Sequence, residues 1–551
     1  MRAIDELARR NEALLEGSYD CVDRVVLNAY MSICCSPGGF RSWWRAWHDG
    51  SDADLDDTHL VRLAGRFARR VRAWGAANAV PVVDCEAGER KHLIAEEHLA
   101  SHDVGPGVFM VLVARAAAPT WKVTRSKSGV LVKLEKRNAF VKHYSFHIMD
   151  AEWGHLVIKI SGHLPFSAQV ILNGHNYVAL RAQREGMNFT KEGNCFTSVE
   201  DPARLAWCAD LLSRPAAIGR LRQVCEQWIY SSVLCFALGT EEQAQARCHY
   251  EYSVYQAEYS RNLLFRDGAV MDEVFNRVCE RTRPRLDVPR LRTLFGAKHR
   301  PHRDRKKPAT ITAVVETPSY DLTWFKLTFG RLGLKAYTKG ERVLRIEATC
   351  HNAAELGCGR VLDRLPDIVG RLGAMAERFC TTLDCTSVGF LPDGILEQLP
   401  RPGALGATRV GGVSLESRRV RSALAAVAAL AAMPDGFSVA DLAGKVQHLT
   451  GQGPGAYTVR QAAYDLRKLR AKALVQKPGL TRRYHVPPDA LRTITAVTAV
   501  RDRVLAPLLG EVREPRRVTD RTNWTAVDHD YEALRTGMEN LFAHLGIEVA
   551  A

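Results

Sequence analysis

No stretch of this 551-residue chain is apolar over the roughly 20 consecutive residues that a membrane-spanning helix requires. Its start, Met1-Arg2-Ala3-Ile4-Asp5-Glu6, carries charge where a secretory signal carries an apolar core. The 14 cysteines are scattered and form no Cys-x-x-Cys pair, so neither a disulfide framework nor a zinc site is legible in their spacing. Cys34-Cys35, adjacent in sequence, is poor geometry for an ordinary disulfide, and the expectation is reduced thiols in a bacterial-type cytoplasm. Walker-type, Gly-x-Gly-x-x-Gly and Gly-x-Ser-x-Gly loops are all missing, which disfavours nucleotide hydrolases, dinucleotide oxidoreductases and α/β-hydrolases. Acidic charge is also in short supply. Asp and Glu number 61 against 76 Lys and Arg, leaving a net +15 that favours a polyanionic partner without separating DNA, RNA and membrane surface.

What the chain does have is a C-terminal segment with helix-turn-helix patterning. Val420, Leu424, Val427 and Leu430 recur at helical spacing, predicting a helix over Val420–Met433 that ends at Pro434-Asp435-Gly436. Ser438 caps a second helix carrying Val439, Leu442 and Val446, and Thr458 caps a third beginning at Val459. On the third helix Ala462, Leu466 and Leu469 form an apolar back, while Arg460, Gln461, Tyr464, Arg467 and Lys468 supply a basic, hydrogen-bonding front suited to a DNA major groove. Two short strands around 474–475 and 484–486 would flank a loop whose Arg482 and Arg483 reach phosphates or the minor groove. This order of elements resembles the MarR-like winged-helix group over about seventy residues. The same helices could instead serve protein contacts, with Arg467 and Lys468 simply solvated.

The rest of the chain predicts an α+β multidomain architecture: an N-terminal α/β unit, central mixed α/β domains and the C-terminal winged helix-turn-helix. Proposed boundaries are 1–125 for the α/β unit, 126–297 for a mixed sheet and helix domain, 298–308 for a basic linker, 309–411 for a second α/β domain, 412–490 for the winged helix and 491–551 for terminal helices. Val80–Cys85, a helix over His92–Leu99 and a strand from Gly107 suggest a parallel βαβ unit. Asp84, Glu89, Arg90 and Lys91 follow its first strand, where open α/β sheets often place a site. Val527, Tyr531, Leu534, Met538, Leu541 and Leu545 form an apolar seam through which two chains could pair as a homodimer, or which could dock on the body.

Three clusters could carry chemistry. Asp150, Lys159, His163 and His175 offer acid, base or phosphoryl-stabilising groups if the fold brings them together. In Tyr250–Arg261, read as a helix, Glu251, Tyr255, Glu258 and Tyr259 share one face, so Glu251 and Glu258 could bind a divalent cation such as Mg²⁺ or Mn²⁺ and a tyrosine could attack a phosphodiester. The third is a pair of strands. Lys335, Tyr337 and Lys339 alternate on one, Arg345 and Glu347 on the next, and antiparallel pairing would set them side by side. This Tyr-x-Lys then Arg-x-Glu pattern is similar to a stretch of some rolling-circle replication initiators over about fifteen residues. Those initiators usually also carry a His-hydrophobic-His metal motif, which this chain lacks.

Gly88-Glu89-Arg90-Lys91, His143-Tyr144-Ser145-Phe146-His147, Leu172-Asn173-Gly174-His175, Leu344-Arg345-Ile346-Glu347 and Tyr464–Arg470 together resemble a widespread family of uncharacterised bacterial proteins, a likeness that implies one evolved unit and no particular activity. The expectation is a cytoplasmic DNA-binding protein that also processes or remodels nucleic acid, in a mobile-element or replication-type role, with Glu251, Glu258, Glu347, His163 and Asp150 as catalytic candidates. Lys335, Lys339 and Arg345 join the winged-helix residues as nucleic-acid contacts. A transcriptional regulator with a large sensing or oligomerising body is the alternative, and RNA is a further possible partner.

Overall fold

The structure is a computed structural model that describes residues 6–127, 131–282, 310–316, 322–329, 331–385, 394–433, 436–451, 453, 455–501 and 526–544. The basic linker at 298–308 lies outside them. The chain is mixed α/β and divides into two compact units, one of 11–271 with 331–376, the other of 1–10, 272–330 and 377–551. Among the described residues no helix is long and apolar enough to cross a membrane.

The first unit is built on one large sheet. Its strands are β1 (Leu15–Tyr30), β2 (Val82–Asp84), β3 (Gly107–Arg125), β4 (Leu131–Asp150), β5 (Gly154–Ser161), β6 (Ala168–Asn173), and, after a separate small hairpin of β7 (Phe189–Lys191) and β8 (Phe196–Val199), β9 (Glu251–Phe265). Past β10 (Thr310–Glu316) and β11 (Leu322–Phe329), a hairpin of the other unit, come β12 (Leu332–Lys339) and β13 (Val343–Cys350). The order across this unit is β12-β13-β9-β1-β6-β5-β4-β3-β2, antiparallel throughout except for the β2–β3 pair. That pair and the helix Lys91–Ser101 between them are the expected βαβ unit.

Two expected boundaries fail for the same reason. β3 and β4 pair continuously from Gly107↔Met149 to Arg125↔Leu131, so a cut at 125 would strip a long hairpin of its ladder. β9 and β13 pair from Val343↔Leu264 to Cys350↔Ala257, which folds 331–376 into the N-terminal unit. A strand edge presents unpaired N–H and C=O groups, and distant segments are recruited to satisfy them.

The run Tyr250–Arg261 is strand from Glu251 onward and not a helix. Its neighbours decide this: β1 pairs along its length, β13 pairs with Ala257–Leu264, and β-branched and aromatic residues suit the pleat. Along a strand Glu251 and Glu258 fall seven residues, or about 23 Å, apart. Glu251 is exposed at the strand start, so the two cannot share a cation.

In the second unit the helices Arg418–Leu430, Val439–Thr450 and Val459–Ala471 form as the periodicity predicts. Ser438 with Asp441, and Thr458 with Gln461, close capping boxes at the starts of the last two. Val420, Leu424, Val427, Leu442, Val446, Leu466 and Leu469 are buried among them. Isolated bridges Phe437↔Tyr484 and Gln476↔His485 follow. The terminal helix Ala526–His544 carries the predicted seam, of which Leu534 is half exposed, while Leu545 and the side chains of Val527, Tyr531 and Leu541 lie outside the described residues.

Candidate functional site

Polar residues collect on one face of four adjacent strands. Successive side chains alternate across a sheet, so Tyr19 and Cys21 on β1, Glu258, Ser260 and Asn262 on β9, Arg345 and Glu347 on β13, and Lys335, Tyr337 and Lys339 on β12 share that face. The register places Lys335 opposite Glu347, Tyr337 opposite Arg345, Arg345 opposite Asn262, and Glu347 opposite Ser260. Asp23, two residues beyond Cys21, shares this face and accepts from Ser260.

Above the face lie the β7–β8 hairpin and the start of the helix Gly174–Arg184. Asn173 caps that helix by accepting from the backbone N–H of His175. Gly174 is required there, because a Cβ would stand 1.8 Å from the Val22 carbonyl oxygen. This close approach delivers His175 to Asp23, with 2.8 Å from Nδ1 to Oδ1.

The floor is sealed. Asp23, His175 and Arg345 have no solvent-exposed side-chain surface. Arg345 donates to Asp23 Oδ2, to the Asn194 carbonyl at 2.6 Å and to Asn262 Oδ1 at 3.3 Å, and Ser260 donates to Asp23 Oδ1 at 3.0 Å. Burial alone would raise the Asp23 carboxyl, but Arg345 and His175 hold it below the usual carboxylate range. An ion pair this deep is weak evidence for stability, because desolvating both charges offsets their attraction. It fixes the geometry of the face instead.

The upper rim is less deeply buried, with Glu347 enclosed and Lys335, Tyr337 and Lys339 partly exposed. Glu347 accepts from Lys335 Nζ at 2.8 Å through Oε1 and from the Tyr337 hydroxyl at 2.8 Å through Oε2. Lys339 donates to the Asn194 side chain. Burial, then the charge of Arg345, lowers the Lys339 ammonium, and burial, then Lys339, lowers that of Lys191. Burial raises the Tyr337 phenol. Glu258 is pushed up to about 7 by burial, then by the neighbouring carboxylates Glu347 and Asp23.

The strand-pair cluster read from sequence therefore assembles as expected, with Glu258 added from β9. The first cluster does not. Asp150 ends β4, where it accepts from the backbone N–H groups of Glu152 and Trp153 and from Trp228 Nε1, all at 2.8 Å, a turn-fixing role. His163 lines a separate cleft with Arg115, Lys142 and Tyr144. Only His175 of that group reaches the sheet-face site. Asp23, Cys21, Lys191 and Ser260 were missed. For Cys21, Asp23 and Ser260 the one sequence signal is polar alternation, Tyr19-x-Cys21-x-Asp23 and Glu258-x-Ser260-x-Asn262.

On the helix Val459–Ala471, Arg460, Tyr464 and Arg467 are exposed, and Lys468 lies 4.9 Å from the Tyr464 ring centre. Among the described residues none of Arg460, Arg467, Lys468 and Arg482 has a carboxylate partner, whereas Arg483 pairs with Asp441 at 3.3 Å. Gln461 spends its side-chain oxygen on the Thr458 backbone N–H at 2.7 Å, which makes it a capping residue and removes that oxygen from the front of the helix. Asp465 points inward, accepting from Tyr457 at 2.9 Å and pairing with Arg419 at 3.1 Å.

No protein-family model, curated protein or solved structure matches this chain.

Proposed function

We propose that this is a DNA-binding protein that acts on the phosphodiester backbone. The observation that carries the reading is the sheet-face rim: a phenol bonded to a buried carboxylate, with Lys335, Lys339 and Lys191 around it and a second carboxyl poised near neutrality. Such a ring of cations suits a phosphate ester, and carboxyls at different protonation levels suit proton transfer.

In this reading Tyr337 attacks phosphorus as its proton passes to Glu347, since burial disfavours a free phenolate. A phosphotyrosine bond forms and one bridging P–O bond breaks. The departing sugar oxygen takes its proton from the carboxylic acid of Glu258. Lys335 and Lys339 balance the charge on the non-bridging oxygens.

The helices between 418 and 471 with the bridges at 476 and 484–485 support a winged helix-turn-helix as the DNA-reading part. Arg460, Tyr464, Arg467 and Lys468 form its front, with Arg482 on the backbone. The described cysteines are all free thiols, which suits a cytoplasmic location.

The test is to incubate the protein with labelled single- and double-stranded DNA and RNA, with Mg²⁺, with Mn²⁺ or with chelator, scoring binding and scission together. Expected are DNA binding, scission, and a covalent protein–DNA adduct lost in Tyr337→Phe and Glu347→Gln while binding persists. Scission untouched by both substitutions places the chemistry elsewhere. Binding without scission under every condition leaves a transcriptional regulator.

A further inference from the structure

We propose that Cys21, Asp23 and His175 form a structural zinc site beneath the sheet face, independent of any reaction at the rim. The three ligand atoms, a thiol sulfur, a carboxylate oxygen and an imidazole nitrogen, all lie within 4.8 Å of one another. Their side chains sit in the sealed floor, Cys21 at 1% exposure and the other two at 0%. A mixed sulfur, nitrogen and oxygen donor set in a closed, tight group suits zinc, whereas magnesium and calcium select oxygen alone.

The groups behind the ligands are in place. Asp23 offers Oδ1 while Arg345 holds Oδ2, and Ser260 also steadies Oδ1. His175 would bind through Nδ1, leaving Nε2 against the Tyr19 hydroxyl at 3.4 Å. This outer bond fixes ring orientation, as partners of metal-bound histidines do. Nδ1 is buried and faces Asp23 Oδ1 at 2.8 Å, so a metal seated here would replace that contact with two ligand bonds.

The geometry requires a small adjustment. Ligands on a tetrahedral zinc with bonds of about 2.0 Å stand about 3.3 Å apart, so Asp23 and His175 must part by about half an ångström. Zinc with the Cys21 thiolate and the Asp23 carboxylate is neutral, and one proton leaves with binding.

The site escaped the spacing of the cysteines because its ligands come from residues 21, 23 and 175 and meet only where the helix start at Gly174 presses against β1.

The experiment is metal analysis of the full-length protein after Zn²⁺ loading and dialysis, with Co²⁺ as the spectroscopic probe. Expected are a metal-to-chain ratio near one, a thiolate-to-cobalt charge-transfer band, and loss of both in Cys21→Ser and His175→Ala, with Cys225→Ser, a buried thiol elsewhere, retaining them. A ratio near zero with excess Zn²⁺, or a cobalt band unchanged by Cys21→Ser, overturns the proposal. Should Cys21→Ser fail to fold, thermal unfolding of the wild-type chain decides: Zn²⁺ must raise the midpoint relative to chelated protein, and an unchanged midpoint refutes the site. None of these readouts depends on DNA binding or scission.

Discussion

Replacing Glu258 by Gln should stabilise this protein at alkaline pH, although it deletes a charged group from a polar site. The folded-state carboxyl titrates near 7, against about 4.5 for an ordinary glutamate. The folded protein therefore binds this proton more tightly than the unfolded chain does. Below about pH 4.5 both states are protonated and the group is neutral in its effect. As pH rises toward 7 the unfolded state ionises first, and stability falls, levelling off above 7. The gap of about 2.5 pH units corresponds to roughly 3 kcal/mol at about 1.4 kcal/mol per unit, an order-of-magnitude figure. Gln imitates the protonated form in size and polarity. Glu258→Gln should thus flatten the pH dependence between about 4.5 and 7 and raise stability at pH 8 by up to about 3 kcal/mol. In thermal unfolding that is several degrees, since about 1 kcal/mol moves a domain of this size by roughly 2–4 °C. The assay is thermal and urea unfolding of wild type and variant across pH 4 to 9, with chelator present so that no cation holds the carboxylate. A variant less stable than wild type at pH 8, or a slope unchanged between the two, would refute the crowding of Glu258 by Glu347 and Asp23.

Two further substitutions probe the floor of the site and the helix front. Arg345→Met strands the buried carboxylate of Asp23 and removes the bond to the Asn194 carbonyl, so urea unfolding should show a loss of about 3–5 kcal/mol. Adding Asp23→Asn should return part of that loss, and a double variant as unstable as the sum of its singles would mean the pair is not coupled. Arg467→Ala, on an exposed side chain with no carboxylate partner, should weaken DNA binding at every sequence tested and reduce the slope of log affinity against log salt by about one. An unchanged slope would leave Arg467 solvated and outside the interface.

The amino-acid pattern alone determined a good deal. Helical periodicity located the helices at 418–430, 439–450 and 459–471, because apolar spacing and Ser or Thr caps are local properties. Alternation likewise located Lys335, Tyr337, Arg345 and Glu347 on two paired strands, since adjacent strands joined by the short Gly340–Arg342 turn can pair in few registers. Tyr250–Arg261 was the opposite case. Its tyrosines and glutamates fit a helical face as well as a pleat, and only β1 and β13, more than two hundred and about eighty residues distant in sequence, made it a strand. The partners of that strand are set by which backbone edges need satisfying, a property of the assembled sheet. The same holds for the buried floor. His175 and Arg345 stand out locally and Asp23 does not, but no local pattern joins the three: they meet because a glycine lets a helix start press against β1 and pairing across β9 brings β13 within reach of β1. Local pattern fixes elements, whereas contacts between residues 150 to 320 positions apart depend on chain crossings that no local period encodes.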